Sequence, residues 1–518
     1  MNAAPGMELF ERLEAHAHAR PDSIAAREVG LASASPASSV ARVTYSDLVR
    51  RVGGVARELQ RRVGPGAVVI LITGNRVEYF TACLGIWAAG CTAFPMHPSV
   101  TKELPAAIAR TNAALVLSGT HGCNTGWHDP TLGRAPFPDA PPLCDSLDLS
   151  SFLSTTQAAR LPAHAGAYAG LMLQSSGTTG LPKIVHRSAA AIDAVAGNVA
   201  DAAGLTPSDR IFAAAPICHA YGIENGFLAP LWAGATVHLC DGLDLPVAMR
   251  EFTVADGSTV FPGVPFMFEV LAKTDAPRKT SLRLAYSAGG MLPHAIARDF
   301  EQRFGLRVGQ LYGASELGSV TFNHPDHPTA DPLSVGHPMH GVSIRILNPD
   351  VITTCHRDVL ISVVPPSLPT GEEGLVTISA PSMMHTYVGE EPPFFDGHFL
   401  TGDLGRLDAT GALTITGRLK QLIDVGGMKV NPAEVEAVLS AHPGVRECVV
   451  VGVAVTPTVS RLKAVVVPVN GTLDPEDLRR FARERLAGHK VPRLIEVRTQ
   501  LPRTPSGKVI RAQLEEPA

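Results

Sequence analysis

Gln174-Ser175-Ser176-Gly177-Thr178-Thr179-Gly180-Leu181-Pro182-Lys183 is the stretch from which the fold can be read. Two glycines lie among four hydroxyl residues, so the segment is a flexible loop rich in donors. Its backbone N–H groups and hydroxyls can wrap anionic oxygens, and Lys183 adds positive charge. Leu171-Met172-Leu173 just upstream reads as the strand that delivers the loop. The spacing from the second glycine to the lysine is wrong for the P-loop pattern GxxxxGK followed by Ser or Thr. Alone, such a loop is as readily a Ser/Thr/Gly-rich surface turn, so the rest of the chain has to decide.

Outward toward the N-terminus, helical and strand patterns alternate. Thr44-Tyr45-Ser46-Asp47-Leu48 opens a helix whose Leu48, Val52, Val55, Ala56 and Leu59 share one face. After Gly64-Pro65-Gly66 comes Ala67-Val68-Val69-Ile70-Leu71-Ile72, a short β-branched run that reads as a buried strand. A helix over Tyr79–Ala89 and a strand near Thr92–Pro95 follow. Such alternation predicts βαβ units on a parallel sheet. Residues from about 120 to 142 are rich in Gly, Pro, Asp and His and read as a surface excursion.

Outward in the other direction, alternation continues from about 165 to 345. Short strand runs at Val342–Leu347, Val359–Val364, Leu375–Ser379 and Leu413–Ile415 then predict a small β subdomain. Past Gly417 a helix over Pro432–Leu439, strands at Glu447–Val453 and Lys463–Val467, and a helix over Asp474–Leu486 form a compact α+β unit. The expected fold is therefore α/β: a large N-terminal domain of stacked α/β subdomains plus a β subdomain, residues 1–416, and a small mobile α+β C-terminal domain, residues 417–518. A chain of 518 residues exceeds what one core usually supports, which agrees.

Composition removes several function classes. A net charge of −4 argues against a general nucleic-acid binder. The apolar run VVILIT at 68–73 is far too short to span a membrane. The first 23 residues lack an apolar stretch of signal-peptide length. Eight cysteines are scattered without metal-ligand spacing, which predicts reduced, mostly buried thiols. A cytoplasmic protein is expected.

The loop has companions. Tyr312-Gly313-Ala314-Ser315-Glu316, Thr401-Gly402-Asp403, Gly417-Arg418-Leu419-Lys420 and Pro502-Arg503-Thr504-Pro505-Ser506-Gly507-Lys508 follow it in order. With Ser176–Lys183, these resemble the phosphate loop, the YGxTE segment, the TGD segment, the interdomain hinge and the C-terminal catalytic loop of the adenylate-forming superfamily. That superfamily holds acyl- and aryl-CoA ligases, luciferases and peptide-synthetase adenylation domains. Ser315 replaces the usual Thr and keeps the hydroxyl. Thr44–Leu48 and Gly74-Asn75 also fit, so the resemblance spans nearly the whole chain.

The resemblance implies a reaction: a carboxylic acid joined to the α-phosphate of ATP as an acyl-adenylate, then passed to a thiol, with coenzyme A foremost. It assigns Ser175, Ser176, Gly177, Thr178, Gly180 and Lys183 to the phosphates, with Thr179 among the catalytic residues. Glu316 would hold Mg²⁺, since hard cations take oxygen ligands; a carboxylate at a helix start would look the same. Lys508 would bring mobile positive charge to the reacting phosphate. Asp403 would accept the ribose hydroxyls, and Arg418 would add a ribose or phosphate contact. Tyr312, Gly313, Ser315 and Gly289, in Ser287-Ala288-Gly289-Gly290, would line the nucleotide. Lys420 would be the hinge, and Gly426-Gly427 with Lys429 would let pantetheine pass close to the backbone.

Pro216-Ile217-Cys218-His219-Ala220-Tyr221-Gly222 resembles the segment lining the acyl pocket, with His219 at the carboxylate gate. Ala220 follows the histidine and no Asp lies between 213 and 223, which disfavours an α-amino acid. An aryl or alkyl acid is expected, with Phe261-Pro262-Gly263-Val264-Pro265-Phe266-Met267 as an apolar wall. Glu224 is given no role. Two departures stand out: Ile184 replaces the glycine that usually follows the loop lysine, and Val451-Gly452-Val453 lacks the acids that usually follow it. The second leaves an acyl carrier protein open as acceptor. The same fold would also suit an adenylating enzyme with a non-thioester product, or a binding protein without catalysis.

Overall fold

The computed structural model describes residues 6–30, 41–98, 103–119, 145–149, 152–153, 156–157, 159–175, 183–275, 280–329, 331, 333–349, 366–419, 423–425, 428–456, 459–503 and 509–515. They fall into two compact units, 1–343 with 378–399, and 344–377 with 400–518. The strand expected at Val359–Val364 and all of the 120–142 excursion lie outside the described residues.

The first unit is built on two sheets. In one, strands Gly170–Ser175, Thr92–Met96, Val68–Ile72, Leu115–Ser118 and Asp145–Asp148 run parallel in that order. Lys183–Ser188 and Thr386–Tyr387 add antiparallel strands beyond Gly170–Ser175. The other sheet takes Val308–Ala314, Leu284–Ser287, Val260–Gly263, Arg210–Ala213, Thr236–Leu239 and Ile24–Glu28 in parallel order. Gly318–Asn323 pairs antiparallel with Val308–Ala314.

The strands explain the apolar runs. Val69 and Leu71 enter the core shared with the second sheet, while Val68, Ile70 and Ile72 pack on the opposite face with Leu104 and Ile108. A strand buried on both faces reads as an unbroken apolar stretch. Helices Tyr45–Arg62, Val77–Ala88 and Ala189–Ala202 contribute to the shared core, and helices Pro265–Ala272 and His294–Phe304 cover the far face of the second sheet. The first of these helices starts as its sequence dictates: Thr44 Oγ1 accepts from the N–H of Asp47 at 3.2 Å.

Asn75 ties the first sheet to the segment that leads toward the site. Its amide nitrogen lies 3.0–3.1 Å from the carbonyls of Ala213, Ala215 and Cys240, and its oxygen accepts from the N–H of Ile217 at 3.0 Å. Asn75→Leu leaves these buried groups without partners, at a cost of about 2–4 kcal/mol. A thermal midpoint several degrees below wild type is expected by calorimetry; an unchanged midpoint would refute the anchoring role.

The second unit holds most of four neighbouring strands, Ser343–Leu347, Gly374–Ser379, His398–Leu407 and Leu413–Arg418. Further along, Val445–Thr456, Val459–Pro468 and Leu494–Val497 form a three-stranded sheet packed on helices Pro432–Ser440 and Pro475–Arg483. The last helix is shorter than the predicted Asp474–Leu486: Asp474 is its N-cap, accepting from the N–H of Glu476. Among the described residues no helix is long and apolar enough to cross a membrane. The five described cysteines are unpaired, and four of them are buried.

Candidate active site

The ends of the loop 176–182 are in place, while Ser176, Gly177, Thr178, Thr179 and Gly180 lie outside the described residues, as do Lys420, Gly426, Gly427 and Lys508. Ser175, buried at the end of its strand, faces Lys183 across the antiparallel pair. The bulky Ile184 does not break the course of the backbone. It continues the strand opposite Gln174 and buries its side chain with Phe94 and Met172.

Lys183 joins a chain of contacts. Its ammonium lies 2.8 Å from Glu390 Oε2 and 4.6 Å from the centre of the Tyr387 ring. The Tyr387 hydroxyl donates to Glu316 Oε1 at 2.9 Å. Burial, then the charge of Glu316, push the Tyr387 phenol up, so it remains a donor. The loop lysine and the expected metal carboxylate are thus bridged by one aromatic residue, which the sequence reading missed. Tyr387 is roughly 200 residues from the loop and carries no local signal of its role.

Glu316 is not at a helix start. It lies in the turn between antiparallel strands Val308–Ala314 and Gly318–Asn323. Gly313 sits where a Cβ would come within 2.3 Å of the Gly318 carbonyl, so only glycine fits before this turn. Glu316 Oε2 has no hydrogen-bond partner among the described residues. No described group holds three or more His, Cys, Asp or Glu arranged to bind a metal. One open carboxylate suits Mg²⁺, which commonly takes one or two protein carboxylates and completes its shell with phosphate and water.

Gly289 has φ +82° and follows strand Leu284–Ser287, and the buried Ser287 hydroxyl beside it has no partner among the described residues. His219 stands at the N-cap position of the short helix Ala220–Ile223, its side chain making no capping hydrogen bond. Solvent reaches the residue, yet the protein packed around the ring and, next, the like charge of His97 lower its pKa below 6.5. His219 is therefore neutral at pH 7, a hydrogen-bonding group and not a counter-ion.

In the second unit, Asp403 and Arg418 face each other across the antiparallel pair, with Arg418 Nε 2.6 Å from Asp403 Oδ1. The two residues expected at the ribose are thus partners of one another. Gly402 takes φ +74° within strand His398–Leu407, just before the buried Asp403. Gly417 lies against Asn431, whose amide donates to the Thr416 carbonyl at 2.8 Å and whose oxygen caps helix Pro432–Ser440.

Residues 13–388 match the family model described as AMP-binding enzyme, and residues 434–508 match the AMP-binding enzyme C-terminal domain. The chain belongs to this family of adenylate-forming enzymes and is a ligase. It is 31% identical, over 95% of its length and 97% of the relative's, to a Rhodococcus jostii ligase that joins coenzyme A to a methyl-dioxo-octahydroindenyl propanoyl group. It is 29% identical, over 91% of its length and 93% of the relative's, to feruloyl-CoA synthase of Amycolatopsis. Its fold superposes on ATP-bound MatB from Rhodopseudomonas palustris with a TM-score of 0.83 at 27% identity, covering 99% and 98% of the two chains.

Proposed function

We propose that this chain activates an aryl or alkyl carboxylic acid with ATP, as an acyl-adenylate, and transfers the acyl group to coenzyme A. The observation that carries the reading is the row Lys183, Tyr387, Glu316, which brings a phosphate-binding cation beside an open carboxylate. The Rhodococcus and Amycolatopsis relatives are CoA enzymes, which favours coenzyme A over a carrier protein as the thiol. The unpaired cysteines favour the cytoplasm.

Each residue has a physical task. The loop 175–180 and Lys183 hold the triphosphate, Lys183 exchanging Glu390 for phosphate oxygens. Glu316 would hold Mg²⁺ through its open oxygen, where the ion would offset the charge that builds between carboxylate and phosphate. Neutral His219 orients the acid without trapping it as an ion pair. Asp403 and Arg418 hold the ribose side, and Gly289 lets the adenine approach the backbone. Lys508, on a functional C-terminal domain that we place at 417–518, supplies charge to the α-phosphate. That domain then moves about Lys420 so that a thiol, guided past Gly426-Gly427, can reach the acyl carbonyl.

The nature of the acid follows from the pocket's charges. Glu224 is the acid nearest His219 in the sequence, and both its oxygens are occupied, by Arg187 and by Ser319. It offers nothing to a substrate ammonium. ATP–pyrophosphate exchange measured over aryl, alkyl and amino acids should respond to the first two classes, followed by AMP release that needs coenzyme A. Exchange with amino acids alone, or release with a carrier protein and not with coenzyme A, would overturn the reading.

A further inference from the structure

Arg187 is completely buried in the strand that follows the phosphate loop. Its Nη1 lies 2.6 Å from Glu224 Oε1. Its Nη2 donates to the carbonyls of Ser315 at 2.6 Å and Ala314 at 3.2 Å, and its Nε donates to Ser315 at 3.1 Å. Glu224, buried in the π-helical turn Glu224–Leu228, uses its other oxygen to accept from the N–H of Ser319 at 2.8 Å and from its hydroxyl at 2.7 Å. One ion pair therefore grips both ends of the turn that carries Ser315 and Glu316.

The rest of that turn is held as well. The Glu316 carbonyl accepts from the N–H of Met384 at 2.7 Å, and the Leu317 carbonyl accepts from the Ser382 hydroxyl at 2.7 Å. Four successive carbonyls, 314 to 317, are occupied from the protein side. This leaves the Ser315 hydroxyl and the second oxygen of Glu316 as the part of the turn turned to a ligand, the first oxygen being held by Tyr387. A buried ion pair is a poor way to gain stability, because desolvation offsets the attraction and apolar replacements are often as stable. Its fork of directed donors is well suited to fixing geometry.

We infer that Arg187 and Glu224 are positioning residues for adenylation: they set the Ser315–Glu316 turn relative to Lys183 and Tyr387, as metal-bound triphosphate requires. The inference rests on the proposed role of Glu316. The pair acts through the turn and touches neither substrate nor metal.

The test uses the full-length enzyme in three variants: Arg187→Lys, the double variant Arg187→Met with Glu224→Leu, and Glu316→Gln as a control. Arg187→Lys keeps the charge but cannot span three acceptors with a rigid fork. The double variant leaves no stranded charge. Binding of Mn²⁺·ATP is followed by titration calorimetry, alongside kcat and KM for pyrophosphate exchange and the thermal midpoint. Folded Arg187→Lys and double variants should bind Mn²⁺·ATP at least about fivefold more weakly and lose at least about tenfold in kcat, with KM for the acid within about twofold. A merely structural pair would lower the midpoint and leave these values alone. Wild-type binding and kcat in either folded variant would overturn the positioning role. If Glu316→Gln alone behaves as wild type, the assignment of Glu316 has failed instead.

Discussion

Lys508→Ala is expected to lose at least about 10²–10³-fold in adenylate formation while remaining folded, since one directed charge on a transition state is worth that much. The reason for expecting an intact fold is at the base of the loop. Arg503 and Val509 pair across it, and the Ile510 N–H donates to the Pro502 carbonyl at 2.9 Å. Arg503 also pairs with Glu447, and Arg511 reaches Glu436 and the Val450 carbonyl, each at 2.8 Å. None of these contacts uses Lys508. Pyrophosphate exchange and circular dichroism on the same sample decide the matter: full exchange in a folded protein would remove Lys508 from the mechanism. The second half-reaction, acyl transfer from supplied adenylate, should be largely spared, because the phosphate charge is then already made.

Lys420→Pro should divide the two half-reactions the other way. Proline holds φ near −65° and removes an N–H, so a pivot at this residue would stop turning. Adenylation should stay within about threefold, and thioester formation from preformed adenylate should fall by at least about 30-fold, as expected when a conformational step is blocked. Gly417 is wedged against Asn431, whose amide donates to the Thr416 carbonyl, so the chain is held three residues before the proposed pivot. Equal losses in both half-reactions would indicate general damage. No loss in either would move the pivot elsewhere.

Much of the scaffold is legible in the sequence because burial leaves a period. The strand Val68–Ile72 and the helix Tyr45–Arg62 stand close to where the alternation of apolar residues puts them. The strand ahead of the glycine-rich loop follows from Leu171-Met172-Leu173 between turn-forming residues. What the sequence does not announce depends on residues far apart in the chain. Glu224 reads as a loop acid without a role, since nothing local marks Arg187 as its partner 37 positions away. Tyr387 is ordinary until the fold lays its ring beside Lys183. Asp403 and Arg418 each read as candidate ligand contacts, but their pairing depends on hairpin register, which a pattern of residue types does not encode. Glu316 is compatible with a helix start because a carboxylate after Gly-Ala-Ser suits a helix cap and a tight turn alike.

The Arg187–Glu224 pair also constrains how this sequence can drift. Changing either residue alone strands a charge in a dry interior, a penalty of about 3–5 kcal/mol, comparable to much of a domain's margin of stability. Changing both together to well-fitted apolar side chains avoids that penalty. A descendant chain can therefore keep both residues or exchange both, while the single-step intermediates are disfavoured. Positions 187 and 224 are in effect one heritable character written at two places, and any redesign that borrows position 224 inherits an obligation at position 187.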